Sequence, residues 1–259
     1  WYLDYIKALY KSKRYEECIN EASYALKNIS FINDNDIWIR RYLAKSLYFK
    51  NNYNEALKLY NYILQKKKDY YLYIEFALIH YKNNNLDEAI KYYLKVFLSN
   101  GLDVKLVNAY LEVAKIFIKK NMQNESKLHA ILAYRLLKDY KYNNTKVMDF
   151  INYFSIDINS IPSKKELAEQ LKPIWHKLYY TYLPLLYGKV KKILENKIAG
   201  FILGYDNQEY YFKTSEYKSK QIQLKEGLKV SFNVDDGYDK KKGKPTKVAI
   251  NINTIPDKD

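Results

Sequence analysis

Over the first 139 residues the apolar positions recur with a helical period and are interrupted by short polar turns, such as Lys50-Asn-Asn52 and Lys82-Asn-Asn-Asn85. A small residue recurs in a like setting after each turn: Tyr15-Glu-Glu-Cys18, Tyr53-Asn-Glu-Ala56, Leu86-Asp-Glu-Ala89 and Gln123-Asn-Glu-Ser126. The spacings between these four positions are 38, 33 and 37 residues. Seven residues after each comes Ala25, Ile63, Val96 or Ala133, and twelve before it Ile6, Ala44, Ala77 or Ala114. Compact side chains at such intervals mark places where two antiparallel helices approach closely. The pattern lapses over residues 140–162. A capping box, Ser163-Lys-Lys-Glu166, then opens a helix running towards Tyr182, with Pro173 expected to kink it. Its apolar positions Leu167, Leu171, Ile174, Trp175, Leu178 and Tyr182 form one buried face. From Gly188 the period changes again, with β-type alternation through Val190, Ile193, Phe201, Tyr211, Val230, Phe232, Val234, Val248 and Ile250. Turn signals separate short strands at Asp206-Asn207, Glu226-Gly227, Asp236-Gly237 and Gly243-Lys-Pro245.

The helical part resembles the tetratricopeptide repeat, four units over residues 1–139, in its period and small-residue pattern. The family's Trp and Gly positions are poorly kept, and helical-hairpin repeats of another type stay open as the alternative. The resemblance implies first helices of each hairpin near Tyr2–Lys11, Asp36–Phe49, Tyr70–Lys82 and Lys105–Lys120. It also implies that one face of these helices lines a groove for a protein partner. The positions carried onto that face are Trp38, Arg41, Lys45, Tyr48, Tyr71, Tyr81, Lys82, Lys115 and Lys119, a basic and aromatic set suited to an acidic peptide or a nucleic acid. Residues 140–187 are read as a linker and a helix that seals the end of the stack, with Trp175 in its core.

Five strands in about 65 residues, with Gly200 in the second where the strand must bend, fit a closed OB barrel over residues 188–253, followed by a tail at 254–259. Within it, Lys197-Ile-Ala-Gly-Phe-Ile202 and Tyr210-Tyr-Phe-Lys-Thr214 resemble the two motifs of the cold-shock domain, Lys-Gly-Phe-Gly-Phe-Ile and Val-Phe-Val-His-Phe. The resemblance implies single-stranded RNA or DNA stacked on exposed rings, here Phe201 and Tyr211, with lysines around the phosphates. Ala199 and Thr214 stand where the family has aromatics, Lys213 where it has His, and Lys192 where its first strand carries Trp. Two rings with Lys192, Lys197 and Lys213 should lean on phosphate contacts, joined by the loop lysines Lys240, Lys241 and Lys242.

Composition alters this picture in two places. The formal charge of +15 divides as 29 basic against 19 acidic residues over 1–187, net +10, and 15 against 10 over 188–259, net +5. Both parts therefore attract an anionic partner, although 30 tyrosines and the abundance of Lys and Asn point to AT-rich coding and weaken arguments from single residues. Catalysis is not expected: His80, His129 and His176 are scattered, no glycine-rich phosphate loop occurs, and no metal or other cofactor is implied. Cys18 is the one cysteine, so no intrachain disulfide forms, and at a repeat's small-residue position it is expected to be buried and inert. No signal peptide or run of about 18 apolar residues is present, so a cytoplasmic location without membrane contact is expected. The chain opens on Trp1 rather than Met, as a fragment of a longer protein would. These features predict a multidomain α-plus-β chain, an α-solenoid followed by an OB barrel, serving as a non-catalytic adaptor between a protein partner and a single strand. The alternatives are a pure protein scaffold whose barrel has lost nucleic-acid binding, or a subunit of a larger complex.

Overall fold

A computed structural model describes residues 1–31, 35–142, 144–219, 221–239 and 244–255. These divide into two compact units, Trp1–Tyr179 and Tyr180–Asp259. The first unit is a solenoid of helical hairpins: α1 (Tyr2–Lys11) with α2 (Tyr15–Asn28), α3 (Asp36–Phe49) with α4 (Tyr53–Lys66), α5 (Tyr70–Lys82) with α6 (Leu86–Asn100), and α7 (Val107–Lys119) with α8 (Gln123–Asp139). The start of the fourth hairpin differs from the expected Lys105. A 3-10 turn at Val104–Leu106, capped by the Asp103 carboxylate, precedes α7 after Gly101 at φ 65°.

One local device builds the four hairpin turns and also ends α8. Lys13, Asn51, Asn84, Asn121 and Lys141 all sit near φ 60°. The amide after each, at Arg14, Asn52, Asn85, Met122 and Tyr142, donates back to Leu9, Leu47, His80, Phe117 and Leu137. This is the helix-ending Schellman arrangement, and Asn suits its left-handed residue because a short polar side chain tolerates that conformation. The small-residue pairs then let the two helices close. Ser126 Oγ donates to the Ala114 carbonyl at 2.9 Å and Cys18 Sγ to that of Ile6 at 3.6 Å, each bond joining residues twelve apart. All eight paired positions are fully buried.

Beyond Asp139, where the repeat pattern lapses, the chain forms a further short helix, α9 (Thr145–Tyr153), which buries Val147, Phe150 and Ile151. It was not foreseen from the sequence. Next, α10 (Lys164–Thr181) runs through Pro173 without ending there. Its capping box closes both ways: the Ser163 amide donates to Glu166 Oε2 at 2.7 Å and the Glu166 amide to Ser163 Oγ at 3.3 Å. Leu167, Leu171 and Trp175 are fully buried. Trp175 Nε1–H donates to His129 Nε2 at 2.9 Å, while His129 Nδ1 lies 2.7 Å from the Glu125 carbonyl. That carbonyl can only accept, so Nδ1 carries the proton and Nε2 is the acceptor. No helix among the described residues is long and apolar enough to cross a membrane.

The second unit is a closed barrel of β1 (Leu185–Ile193), β2 (Ala199–Gly204), β3 (Glu209–Lys213), β4 (Lys229–Asp239) and β5 (Lys244–Thr254) in the order β1-β2-β3-β5-β4. Its interior is Val190, Ile202, Tyr210, Phe212, Val230, Phe232, Val234, Ala249 and Ile252. Gly200 is required by a close approach, since a Cβ there would stand 2.5 Å from the Lys192 carbonyl and 2.7 Å from the Phe212 ring. A register shift between Val190 and Lys192 marks a bulge in β1.

Candidate nucleic-acid interface and partner groove

On the barrel, cross-strand register places side chains of like parity on one wall. Lys192 opposes Phe201, Phe201 opposes Tyr211, and Tyr211 pairs in parallel with Val248. Lys192, Phe201 and Tyr211 thus form one outward row across β1, β2 and β3. The Phe201 and Tyr211 rings lie 5.8 Å apart at 70°, edge to face, and Tyr211 is 36% exposed. Lys213 stands one row along, opposite Ala199, and Lys197 occupies the β1–β2 turn at φ 55°. Lys192, Lys197 and Lys213 are all exposed. Their ammonium groups make no ion pair with the described residues, in contrast to Lys191, which pairs with Glu209. Lys240, Lys241 and Lys242 lie outside the described residues.

The same wall carries further exposed residues outside the two cold-shock-like motifs. Lys189 opposes Leu203, and Leu203 opposes Glu209. The Tyr205 amide donates to the Tyr187 carbonyl at 2.9 Å, which sets those two residues side by side. Leu203 is 40% exposed, Tyr187 48% and Tyr205 59%. Strand parity alone points to them, since 187 and 189 on one strand and 201, 203 and 205 on the next share a side.

On the solenoid, the expected groove residues occupy the first helices of the hairpins, and most of their charges have partners within the chain. Arg41 donates to both oxygens of Glu75, from Nε at 2.7 Å and from Nη2 at 2.6 Å. Lys45 Nζ reaches the same carboxylate at 2.9 Å and Tyr60 Oη donates to it at 2.7 Å. Burial alone would raise the Glu75 pKa, but the bonds from Arg41 and the charge of Lys45 outweigh it and hold the carboxyl below its usual range. Burial works against the Arg41 charge as well, and Glu75 more than restores it. Lys115 pairs with Glu112 at 2.8 Å. Lys119 sits 4.6 Å from the centre of the Tyr81 ring and Lys82 at 5.9 Å from the same ring. Arg41 also covers the Tyr71 ring at 4.9 Å, and Lys67 covers Trp38 at 4.7 Å. Tyr48 packs against Tyr53 at 5.8 Å.

Glu75, Glu112 and Tyr60 were absent from the expected set. They alter its meaning, because the two carboxylates pair with three of its five cations, Arg41, Lys45 and Lys115, and leave it less basic though still net positive. Repeat position was the available signal: Glu75 and Glu112 each stand two residues before the small residue of their helix, Ala77 and Ala114. Among the described residues no cluster of three or more His, Cys, Asp or Glu is placed to hold a metal ion.

No protein-family model matches the chain. No curated protein matches it either. Solved structures do. MamA is similar at 15% identity, over 69% of this chain and 92% of that one, with a TM-score of 0.47. The C-terminal part of a TPR repeat-containing protein from Cytophaga hutchinsonii is similar at 17% identity, over 70% and 69%, with a TM-score of 0.49. YrrB, described as a TPR protein with an unusual peptide-binding site, is similar at 14% identity, over 69% and 88%, with a TM-score of 0.44.

Proposed function

We propose that the chain is a non-catalytic adaptor which holds a polypeptide on its helical repeats and a single-stranded nucleic acid on the outer wall of a cold-shock-like barrel. The observation that carries the second half is the Lys192–Phe201–Tyr211 row. Two rings offer π-faces to successive bases, and each stack contributes about 1–3 kcal/mol regardless of base identity. Exposed lysines without partners on either side, Lys189, Lys197 and Lys213, supply the phosphate contacts. The strand order is that of the OB barrel, whose second and third strands form the usual surface for single strands. RNA and DNA both meet these requirements.

The polypeptide half is supported by ring positions that repeat along the first helices. Tyr10, Tyr48 and Tyr81 each follow the inward residue, Ile6, Ala44 or Ala77, by four. A peptide laid across the first three repeats would meet a ring in each, and Ile118 at the same place in the fourth. Selection of peptides from a random displayed library on the full chain tests this, with binding expected to weaken in Tyr48→Ala and Tyr81→Ala.

The barrel half is tested by fluorescence anisotropy with labelled dT and U oligonucleotides. Binding in the micromolar range at 50 mM salt is expected, weakening at least about 30-fold in Phe201→Ala/Tyr211→Ala, as the loss of two stacks requires. If four lysines engage phosphates, affinity falls about 50-fold between 50 and 200 mM salt. A second reading, a barrel that docks protein instead, draws support from the exposed Leu203, Tyr187 and Tyr205 beside the rings. No oligonucleotide binding at low salt would favour it.

A further inference from the structure

The four hairpins can be laid over one another residue by residue, because the inward positions Ala44, Ala77 and Ala114 and their partners Ala56 and Ala89 fix a common frame. Within that frame the Glu75 cluster has a counterpart one repeat further on. Tyr60 follows Ala56 by four, as Tyr93 follows Ala89. Glu75 precedes Ala77 by two, as Glu112 precedes Ala114. The hydroxyl and the carboxylate are therefore both repeated. The cations are not: the positions of Arg41 and Lys45 become the aliphatic Ile74 and Leu78.

The consequence shows in the hydrogen bonds. Tyr60 donates to Glu75, which is also gripped by Arg41 and Lys45. Tyr93 is fully buried, yet its hydroxyl has no hydrogen-bond partner. Burial, and after it the nearby Glu112, Tyr48 and Tyr81, keep that phenol protonated. Glu112 is bonded by Lys115 through Oε1 alone, in a part-exposed pair on its own helix. Such pairs contribute little and yield readily to a better-placed partner. A fully buried donor without an acceptor is rare in native proteins and points to a missing group.

We propose that the surface formed by Ile74, Leu78 and Glu112 over the buried Tyr93 hydroxyl is the Arg41 site without its built-in cations, and that it takes an arginine side chain of a bound polypeptide. The chain itself shows how such a guanidinium would be held, by a carboxylate at 2.6 and 2.7 Å that a tyrosine hydroxyl orients. Bridging Glu112 would draw the carboxylate towards the Tyr93 hydroxyl, as Glu75 is drawn to Tyr60. Ile74 and Leu78 are both half-buried. They bring no charge to compete for Glu112, and their part-exposed methyl groups suit the methylene stem of an incoming arginine. This deepens the groove reading and rests on it: the partner's segment over α5 and α7 carries positive charge, although the chain as a whole is basic.

The test is an NMR titration of the full chain with N-acetyl-arginine amide, against N-acetyl-citrulline amide as its neutral isostere. Saturable shifts at Leu78, Tyr93 and Glu112 are expected for arginine, with citrulline and Glu112→Gln each weaker by at least about tenfold. Ile74→Arg restores the internal cation, so it should abolish the titration and raise the melting temperature by about 2–4 °C. That rise should vanish when Glu112→Gln is added. Equal shifts with citrulline, indifference to Glu112→Gln, or no gain from Ile74→Arg would each overturn the assignment. A library peptide that needs Tyr48 and Tyr81 but not Glu112 would overturn it too, while leaving the groove reading intact. If no peptide depends on the groove, that reading fails, and the partner's place in the assignment fails with it.

Discussion

Single residues here do their work through partners far away in sequence. Glu75 gathers Arg41, Lys45 and Tyr60 from two other helices. Removing only the carboxylate, as in Glu75→Gln, strands two cations and should cost about 2–3 kcal/mol in urea unfolding. Replacing the whole cluster, as in Arg41→Met/Lys45→Met/Tyr60→Phe/Glu75→Met, should cost much less, because no charge is then left without a partner. His129 is the other residue with a readable consequence. Burial lowers its pKa from 6.5 to about 4, only partly offset by its bond to the Glu125 carbonyl. The folded chain thus keeps Nε2 free to accept from Trp175 while the unfolded chain takes up a proton. The associated stability is fully present above pH 6.5 and is lost as pH falls from 6.5 towards 4. At pH 5 the loss from this group is on the order of 2 kcal/mol. Thermal unfolding at pH 7 and pH 5 should show it, and His129→Gln should shrink the difference, leaving the part due to His80, which burial likewise lowers to about 4.

At the scale of elements, what the sequence discloses depends on how local the cause is. The hairpin turns were legible because the left-handed residue and its polar neighbours stand together, as in Lys50-Asn-Asn52. The helix pairs were legible because close approach demands small residues at a fixed interval. Helix α9 was not, since nine residues with three buried side chains carry too little period to stand out. The bulge at Val190–Lys192 was equally hidden, although it brings Lys192 rather than Lys191 opposite Phe201. The Glu75 cluster could not be read directly, as its bonds span 15 to 34 residues. Gly200 offers a test at this scale. Gly200→Ala puts a methyl 2.5 Å from the Lys192 carbonyl, between β1 and β2 where backbone must shift. The barrel should lose about 1–3 kcal/mol, seen as faster amide exchange in β1 and β2. Unchanged exchange would mean the strands have slack that the close packing does not suggest.

For the whole molecule, two surfaces of different chemistry are offered by one chain. The solenoid's expected cations prove to be largely occupied by Glu75, Glu112 and tyrosine rings, so that face presents rings and cations already partnered within the chain. On the barrel, lysines without partners flank two rings on one wall. The net charge of +15 adds long-range attraction for a polyanion and makes any such binding strongly dependent on salt. The most direct measurement is an amide chemical-shift map of the full chain with a short dT oligonucleotide at 50 mM salt. The account predicts shifts concentrated at Lys192, Phe201, Leu203, Tyr211 and Lys213. Shifts confined to the helical repeats, or none at all, would contradict it.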